Sequence, residues 1–577
     1  MLSQRYASLA EKMAKGEENP ERKRELEKIA QACHWVPANP AQNFYEAIQS
    51  VWFAILGIWL ETPAGGFASP VRFSQYMYPF YKKDKEEGKI TDEEVVELVQ
   101  FFFLKLNQLA TIMSPYYWSW NQSRLSLQLS LGGLTPDGQD ATNELDYLVL
   151  EAQERIRLPE PLVGLLYHDK LSEDFLLKCV SLIRTGIGQP AFHNLPVAIE
   201  RHLFHHKMSL EEARSVSIAG CVQSMLPGYT DGYWEASLNI AKMLELVLND
   251  GKDPLSGVQL GPQIGAIETF KTYNDFYHAV IKQLEYFIPM SRVISRVGWN
   301  IARDFPVPFG SALVGDCIKQ GKDQADGGAR YSFADGVSMV GVIDAANSLA
   351  AIKKLVFEEK RITLSQLKEA LDADFEGYEE VERWCLGAPK YGNDDESVDS
   401  IAKELYRVCD QEHQKFPDYL GKPIVPSAYS VTKHYALGKL TGALPNGRKA
   451  RVPLCDASVS AQPGTDKNGP TALVKSAAKA IDNVRYSGNH FNMKFHPTAL
   501  KGLDGARKFL SLIKTYFDLG GYHVQFNCVS GETLRDAQLH PENYRELIVR
   551  VAGFSAYFIH LDREVQEEII SRTEFKF

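Results

Sequence analysis

Two residues of this chain, Gly553 and Cys221, are of types that can carry radical chemistry. Gly553 lies in the stretch Arg-Val-Ala-Gly-Phe-Ser-Ala-Tyr-Phe at 550–558, and Cys221 lies 332 positions before it. Because glycine has no Cβ, its Cα can lose a hydrogen atom and flatten, and the unpaired electron then spreads onto the flanking amide nitrogen and carbonyl. A cysteine S–H bond is of similar strength, so a hydrogen atom can pass between two such residues in either direction. Taken singly, such a glycine more often occupies a turn, and such a cysteine more often packs as a small buried hydrophobe.

The pattern around these residues predicts alternating strands and helices. Alternation of apolar and polar residues predicts a strand at 125–131, and an apolar run predicts another at 161–167. An apolar helix is predicted over 91–113, and the segment that begins at Thr91 can cap it. A second, long helix is predicted over 234–248, after the cysteine segment. Strand and helix signals that keep alternating favour a β/α barrel over a sandwich.

The composition of the chain changes after about residue 429. Turn-rich segments such as 444–448 and 462–464 follow this point. The change predicts two domains, a barrel domain over 1–429 that carries Cys221 and a C-terminal domain over 430–577 that carries Gly553.

Composition and charge argue against several classes of function. The 577 residues carry a formal net charge of −10, and 45% of them are hydrophobic, as in ordinary globular proteins. This acidic balance argues against nucleic acid or an anionic membrane as a partner. The eight cysteines form no Cys-x-x-Cys pair, so neither disulfides nor a zinc or iron–sulfur site is expected. The chain begins without the apolar region of a signal peptide, and we expect a cytoplasmic protein.

The segment around Gly553 resembles the radical-bearing loop of the glycyl radical enzymes, the superfamily that includes pyruvate formate-lyase. The likeness continues through 566–570 and 572–575, and Gly-Cys-Val at 220–222 is similar to the cysteine loop of the same family. Three further similar segments extend the likeness over nearly the whole chain: 75–81, 492–497 and 523–527.

This resemblance implies an α/β fold, a ten-stranded β/α barrel of two antiparallel five-stranded halves followed by a C-terminal glycyl radical domain. Family members usually carry a longer N-terminal segment, so we expect the barrel to be shortened there. Cys221 and Gly553 would be the catalytic residues on opposing loops, and Cys221 would give a hydrogen atom to Gly553 and become the thiyl radical that attacks the substrate. The walls of a barrel suit this chemistry because they exclude water and stray hydrogen donors.

The resemblance also implies how the radical arises. A separate activating enzyme that uses S-adenosylmethionine and an iron–sulfur cluster would install the radical on Gly553 after translation. No cofactor or metal is therefore expected to be bound to this chain itself. The other expected partners are a small-molecule substrate and a second copy in a homodimer, in an anaerobic organism.

Two departures from the family pattern bear on the reaction. Pyruvate formate-lyase has two adjacent cysteines where this chain has Gly220 and Cys221, and because the second sulfur carries the acyl group, that activity is not expected. Dehydratases and amine lyases of the family have a glutamate base two residues after the cysteine, where this chain has Gln223. A carboxamide cannot accept a proton, so the change favours decarboxylation of an arylacetate such as indoleacetate, phenylacetate or hydroxyphenylacetate. Asp231 and Glu235 are candidate replacement bases.

Five residues are candidate substrate contacts. Gln223 can orient a carboxylate by hydrogen bonding, and His193, beside Phe192 in a segment that also resembles the family, can donate a proton or bind a carboxylate. Tyr117 and Trp120, in a stretch crowded with rings, can line an apolar pocket. For any single ring, and for a lone histidine, a structural role is the commoner outcome.

Other functions stay open beside decarboxylation. A dehydratase or carbon–nitrogen lyase acting on a small polyol, choline or hydroxyproline would need another carboxylate as its base. The separation of 332 residues between Cys221 and Gly553 is closer to that of those enzymes. A truncated, inactive homologue is a further alternative. Addition of a carbon radical to fumarate is disfavoured because no arginine closely follows Cys221.

Overall fold

The computed structural model describes residues 1–62, 69–110, 126–231, 235–331, 336–417, 421–422 and 424–577. Within these residues, helices alternate with short strands along most of the chain. The α-helices are α1 Leu2–Gly16, α2 Pro20–Trp35, α3 Phe44–Glu61, α4 Phe73–Glu86, α5 Asp92–Asn107, α6 Glu144–Ile156, α7 Glu173–Leu182, α8 Leu195–His205, α9 Leu210–Arg214, α10 Ile240–Leu248, α11 Tyr273–Asp304, α12 Pro308–Ala312, α13 Cys317–Gln320, α14 Val342–Ile352, α15 Leu364–Asp372, α16 Glu379–Gly387, α17 Glu396–Gln414, α18 Lys433–Lys439, α19 Pro470–Ala480, α20 Gly502–Asp518, α21 Gly531–Leu539 and α22 Arg563–Ser571. The strands are β1 Gln128–Gly132, β2 Leu162–Tyr167, β3 Ala191–Asn194, β4 Ser217–Ala219, β5 Gln223–Met225, β6 Glu235–Asn239, β7 Gly336–Val340, β8 Asn492–Phe495, β9 His523–Cys528, β10 Ile548–Arg550, β11 Ser555–Tyr557 and β12 Glu574–Phe575.

The main sheet has six strands in the order β1-β2-β3-β9-β8-β12. Strands β1, β2 and β3 are parallel neighbours, β3 is antiparallel to β9, and β9, β8 and β12 are again parallel. Every residue of β1, β2, β3, β8 and β9 is buried, as is typical of parallel strands that are covered on both faces. The sheet therefore consists of two parallel sets that meet at the antiparallel β3–β9 pair.

Isolated bridges add further strand segments to the outer side of both sets. Val71 pairs in parallel beside β1, while Asn489, just before β8, pairs in parallel with Ala428. Ser427 in turn pairs in parallel with β7, which is parallel to β6. The described residues thus contain two oppositely directed sets of parallel strands, as expected of two half-barrels. No ladder among these residues joins β6 back to Val71, so the closed ten-stranded barrel stays a prediction.

Several local elements follow the sequence patterns closely. The predicted strands at 125–131 and 161–167 are confirmed as β1 and β2. The predicted cap of α5 is confirmed as well: the Glu94 N–H donates to the Thr91 hydroxyl at 3.2 Å, and the Thr91 N–H donates to the Glu94 carboxylate at 2.8 Å. Residues 111–113 of that predicted helix lie outside the described residues.

The helix predicted over 234–248 is wrong in its first half. Residues Glu235–Asn239 form β6, which pairs in parallel with β7, and helix α10 begins only at Ile240. Asn239 marks the change, because its side chain accepts a hydrogen bond from the Lys242 N–H at 3.0 Å and so caps the helix. Pairing with a strand far along the chain has overridden the local helical pattern.

Two smaller apolar clusters beside the main core support the segments that carry Cys221 and Gly553. One packs Val551 and Phe554 against Val565 and Ile569 of α22. The other surrounds Cys221 with groups that include Ile218, Val222, Tyr429 and Tyr522. In the described part of the chain, every helix is too short or too polar to span a membrane.

Candidate active site

Cys221 lies at the tip of a tight hairpin. Strands β4 and β5 pair antiparallel, and only residues 220–222 lie between them. Gly220 makes this turn possible because its φ of 60° is one that residues with a Cβ rarely adopt. Val222 is fully buried, and its carbonyl accepts a hydrogen bond from the Tyr522 hydroxyl at 2.7 Å. The hairpin therefore holds Cys221 on a firmly packed support, with 7% of the residue exposed.

Gly553 lies at the tip of a second hairpin. Strands β10 and β11 pair antiparallel, and the Val551 N–H closes the turn by donating to the Phe554 carbonyl at 3.0 Å. Gly553 has a φ of 87°, in the left-handed region that favours glycine. Its neighbours Val551, Ala552 and Phe554 are all fully buried, so the tip of this hairpin lies inside the protein.

The two hairpin tips are in contact. A Cβ built on Gly553 would lie 2.7 Å from the Cys221 Sγ, 2.6 Å from the Cys221 Cβ and 2.5 Å from the His490 Nε2. The α-hydrogen that takes the place of a side chain therefore points towards Cys221 and His490. Because a carbon–carbon bond is about 1.5 Å long, the Gly553 Cα lies within about 4.2 Å of the Cys221 Sγ. The structure thus brings together the two residues that the sequence places far apart.

Hydrogen bonds fix both sides of the Gly553 Cα. The Gly553 N–H donates to the Gln525 Oε1 at 3.1 Å, and the Gly553 carbonyl accepts from the Arg550 Nη2 at 3.3 Å. The Arg550 Nε also donates to the Gln525 Oε1, at 2.7 Å. Arg550 is fully buried, and burial lowers its pKa to about 10, so the guanidinium keeps its positive charge at neutral pH.

A second buried arginine, Arg572, anchors the same loop from the C-terminal segment. It donates to the carbonyl oxygens of Arg550 at 3.1 Å and Val551 at 2.8 Å, and it pairs with Glu568 at 2.8 Å. Burial alone raises the pKa of Glu568, but the Arg572 charge outweighs burial and the pKa is lowered. The backbone on the N-terminal side of Gly553 is therefore held by a charged pair inside the protein.

Three histidines surround the contact between the hairpins. The ring of His523 lies 4.9 Å from that of His193 and 5.7 Å from that of His490, and the His193 Nε2 lies 3.3 Å from the Cys221 carbonyl oxygen. Burial lowers the pKa of all three, that of His193 to about 3, so the rings are neutral at neutral pH. Within the described residues, no group of three or more His, Cys, Asp or Glu side chains could hold a metal ion.

Comparison with known proteins places this arrangement in a family. The family model described as pyruvate formate lyase-like matches residues 1–438, and the model described as glycine radical matches residues 455–559. The chain belongs to the pyruvate formate lyase-like glycyl radical enzymes. The expected family and the expected α/β fold with a C-terminal glycyl radical domain are thereby confirmed.

The relatives of this glycyl radical enzyme carry out different reactions. It is 38% identical to the isethionate sulfite-lyase of Oleidesulfovibrio alaskensis, over 100% of this chain and 70% of the relative. It is 36% identical to the indoleacetate decarboxylase of Tractidigestivibacter scatoligenes, over 99% of this chain and 68% of the relative. The glycerol-bound structure of the B12-independent glycerol dehydratase of Clostridium butyricum matches with a TM-score of 0.95 and 39% identity, over 100% of this chain and 72% of that one. These similarities establish the radical family and leave the reaction open.

Only some of the predicted substrate contacts in this glycyl radical enzyme lie near Cys221. His193 approaches the Cys221 carbonyl, and Gln223, 2% exposed, begins β5 two residues after the cysteine. Phe192 lies on the opposite face of β3 from His193, since successive side chains of a strand alternate. It packs against Phe526 in the main core, with ring centroids 6.2 Å apart, and the structure does not bring it to Cys221. Two further predicted contacts, Tyr117 and Trp120, lie outside the described residues.

The two candidate bases follow the cysteine hairpin. Asp231 is 1% exposed, and its N–H donates to the Tyr331 carbonyl at 3.1 Å. Glu235 is the first residue of β6, and its side chain lies outside the described part of the structure. Asp231 is therefore the carboxylate among the two that the structure places in the interior.

Several residues that contact Gly553 were not singled out from the sequence as site residues. They are His490, Gln525 and the side chain of Arg550. One signal was available: alternation along β9 places His523 and Gln525 on the same face, and this strand had been recognised as similar to the family. The contact of His490 depends on how the segment just before β8 meets the hairpin of Gly553, which no local pattern reveals.

Proposed function

We propose that this protein is a glycyl radical lyase in which Gly553 stores the unpaired electron and Cys221 applies it to the substrate. The observation that carries the proposal is the approach of the two hairpin tips, with the side-chain position of Gly553 2.7 Å from the Cys221 Sγ. An activating enzyme that uses S-adenosylmethionine removes the first hydrogen atom from Gly553. The protein has no need of a bound cofactor for the steps that follow.

The proposed cycle moves one hydrogen atom at a time. The Cys221 S–H hydrogen passes to the Gly553 Cα radical, which leaves a thiyl radical on sulfur. The thiyl radical takes a hydrogen atom from the substrate, the substrate radical breaks one bond, and the product radical takes the hydrogen atom back from Cys221. The thiyl radical then recovers a hydrogen atom from Gly553. Burial of both hairpin tips supports this cycle because it keeps water and other hydrogen donors away from the radicals.

We propose decarboxylation of an arylacetate as the reaction. Gln223 begins β5 two residues after Cys221 and cannot act as a base. The neutral His193 can donate a hydrogen bond to a carboxyl group or accept one from it. A buried substrate carboxyl group is favoured in its protonated form. Its hydrogen atom passes to the Cys221 sulfur, carbon dioxide leaves, and the arylmethyl radical is stabilised by its ring. Return of the hydrogen atom from Cys221 gives the methylarene and restores the thiyl radical.

One observation favours a second candidate, a dehydratase or carbon–nitrogen lyase acting on a small polyol, choline or hydroxyproline. Asp231 is 1% exposed and lies on the segment that leaves the cysteine hairpin, so it can supply the carboxylate that position 223 lacks. The 39% identity to a glycerol dehydratase, with a TM-score of 0.95, agrees with this alternative. In that reaction Asp231 accepts the proton of a hydroxyl group while the neighbouring carbon carries the radical.

A single anaerobic experiment separates these candidates. The protein, activated by its radical S-adenosylmethionine enzyme, is incubated with indoleacetate, phenylacetate, 4-hydroxyphenylacetate, glycerol, choline or trans-4-hydroxyproline, and the products are analysed by mass spectrometry. We expect a methylarene and carbon dioxide from one arylacetate, and no product from the Cys221→Ala variant. Dehydration of glycerol or hydroxyproline, or carbon–nitrogen cleavage of choline, would contradict decarboxylation and support the second candidate. A protein that forms a radical but converts no compound in this panel would contradict both candidates.

The homodimer stays a prediction. Light scattering on the purified full chain measures the mass directly, and a dimer gives twice the 64.8 kDa of one chain. A mass of one chain at micromolar concentration would contradict the prediction.

A further inference from the structure

Side chains form hydrogen bonds with Gly553 on both sides of its Cα, and these bonds act on the electrons of its two peptide groups. On the nitrogen side, the Gly553 N–H donates to the Gln525 Oε1 at 3.1 Å; on the carbonyl side, its oxygen accepts from the Arg550 Nη2 at 3.3 Å. The two side chains are joined, because the Arg550 Nε donates to the same Gln525 oxygen at 2.7 Å. Together they form a closed clamp around the Cα of Gly553.

Further hydrogen bonds hold both side chains of the clamp and determine which amide atom of Gln525 faces Gly553. Gln525 donates through its Nε2 to the Asn492 Oδ1, and Asn492 donates to the Val551 carbonyl at 2.9 Å, so the Gln525 oxygen is the atom that faces Gly553. Arg550 is held by further bonds, from its Nη1 to the Ser555 hydroxyl at 3.3 Å and from its N–H to the Asn527 side chain at 2.8 Å. Both side chains are fully buried, so water does not compete for these contacts.

A glycyl radical gains stability when the amide nitrogen gives electron density to the Cα and the carbonyl withdraws it. An N–H that donates to an oxygen makes its nitrogen more electron-rich. A carbonyl that accepts from a cation withdraws more strongly, and hydrogen bonds from charged donors are about twice as strong as neutral ones. In the described part of the chain Arg550 has no carboxylate within ion-pair distance; the Cys221 thiol and the Glu160 carboxylate act on its charge from farther away.

We propose that Arg550 and Gln525 are positioning residues that tune the radical on Gly553, by bonding its carbonyl and its amide so that the unpaired electron spreads away from the Cα. The inference rests on the proposed role of Gly553 as the radical site. The tuned step is the transfer of one hydrogen atom from the Cys221 sulfur to the Gly553 Cα and back, with no other reactant. The clamp shifts this equilibrium towards the glycyl radical, which stores the electron between turnovers.

The test reads the spin distribution and not only the activity. In the electron paramagnetic resonance spectrum of the activated full-length protein, the splitting by the Gly553 α-hydrogen reports the spin density on the Cα. We expect Arg550→Met and Gln525→Met each to widen this splitting and to shorten the lifetime of the radical in the anaerobic protein. Arg550→Lys, which keeps a charged donor but loses the planar fork, is expected to restore part of the shift.

Ser555→Ala is the matched control. It removes a bond from Arg550 but neither of the two contacts with Gly553, so the wild-type splitting is expected. If Arg550→Met does not fold, the inference is tested by comparing Gln525→Met with the wild-type protein, both labelled with ¹⁵N-glycine. The clamp predicts a larger ¹⁵N splitting, and so more spin on nitrogen, in the wild type than in Gln525→Met. Wild-type splittings in folded, radical-bearing Arg550→Met and Gln525→Met would overturn the inference. Absence of any radical from the wild-type protein would instead overturn the proposed function.

Discussion

Gly553 meets two separate requirements, each of which excludes other residues. Its φ of 87° strains any residue with a Cβ, and a Cβ would lie 2.5–2.7 Å from atoms of His490 and Cys221. The same missing Cβ lets the Cα flatten as a radical and lets the sulfur approach it. Gly553→Ala would therefore remove the radical and also strain the loop, which makes substitution of Cys221 the cleaner test of the mechanism.

Cys221→Ser should leave the radical on Gly553 but stop both turnover and exchange of its α-hydrogen with solvent. The two side chains are close in size, but the serine O–H bond is too strong to give its hydrogen atom to a glycyl radical. In D₂O the α-hydrogen splitting of the wild-type spectrum should collapse, because deuterium enters through the Cys221 thiol. The variant should keep its doublet, and collapse at the wild-type rate would contradict the role of Cys221.

Gln223→Glu tests which reaction the site performs. Gln223 is 2% exposed and begins β5 two residues after Cys221, so the variant would bury a carboxyl group in the cysteine hairpin in place of the carboxamide that is proposed to orient the substrate. We expect decarboxylation, measured as kcat/KM on the best arylacetate, to fall at least about tenfold, which corresponds to about 1.4 kcal/mol. Strong dehydratase activity of the unchanged protein would show that a base at position 223 is not needed and would contradict the argument from Gln223.

Among the elements, those whose partners lie close in the sequence, or whose residues are buried throughout, were the predictable ones. Strand β2 is a continuous apolar run and α5 begins with a complete capping box, so both could be read locally. Strand β6 could not be predicted from the local sequence, because that sequence has a helical pattern. The strand forms by pairing with β7, about a hundred residues later in the chain.

The residues of the candidate site likewise divide into those that could be predicted from the sequence and those that could not. Cys221 and Gly553 could be found because their motifs are specific, and Gln223 because it departs from one of them. Phe192 was misplaced, since a residue beside a site residue on a strand points to the other face. The clamp of Arg550 and Gln525 joins β9 to the glycyl loop, and this contact exists only in the folded protein.

The anchoring of the glycyl loop by α22 gives a prediction at the level of this element. Arg572→Met would leave the buried Glu568 without its charged partner and release two carbonyl groups of the loop. We expect a loss of about 3–5 kcal/mol in the free energy of unfolding, because one member of a buried ion pair is removed. Denaturant unfolding followed by circular dichroism measures it.

Arg563→Met on the same helix is the matched control. The Arg563 side chain is 78% exposed and lies 3.7 Å from Glu567, so its removal should change the stability by less than about 0.5 kcal/mol. Equal losses in the two variants would contradict the assigned role of Arg572.

The molecule as a whole buries, wholly or in part, nine histidines whose pKa is lowered, and these groups weigh most in its response to acid. Burial is the main cause of each shift. The pKa falls to about 3 for His193 and His206 and to about 4 for His205, His413 and His434; it lies well below the usual value for His202, His490 and His523, and below it for His168. Because the unfolded chain binds protons at these groups below about pH 6.5 and the folded protein does not, stability falls as the pH falls. At pH 5 each group whose pKa in the folded protein is about 4 or lower costs about 2 kcal/mol of stability.

Six buried carboxyl groups act in the opposite direction. Burial raises the pKa of Asp146, Asp399 and Asp466 to about 6 and that of Asp456 to about 7, and it also raises the pKa of Asp344 and Glu245. The folded protein therefore takes up protons at these groups first and gains stability on acidification. The histidines are more numerous, and the unfolded chain protonates each of them between pH 7.5 and pH 5.5 while the folded protein keeps most of them neutral, so the net effect is destabilisation. We expect the free energy of unfolding from urea titrations to decrease from pH 7.5 to pH 5.5.

His413 offers a way to isolate one histidine far from the reaction. Its Nδ1 lies 2.6 Å from the Cys409 carbonyl oxygen within α17, so His413→Gln keeps a donor for that oxygen but removes the titrating group. The variant should lose less stability than the wild type between pH 7.5 and pH 5.5, by up to about 1.4 kcal/mol, since one pKa unit separates pH 5.5 from the unfolded pKa. The difference between the two pH values is the measured quantity, so a general loss of packing in the variant cancels. A wild-type protein equally stable at both pH values, or a variant with the same pH dependence as the wild type, would show that these histidines do not control the acid response.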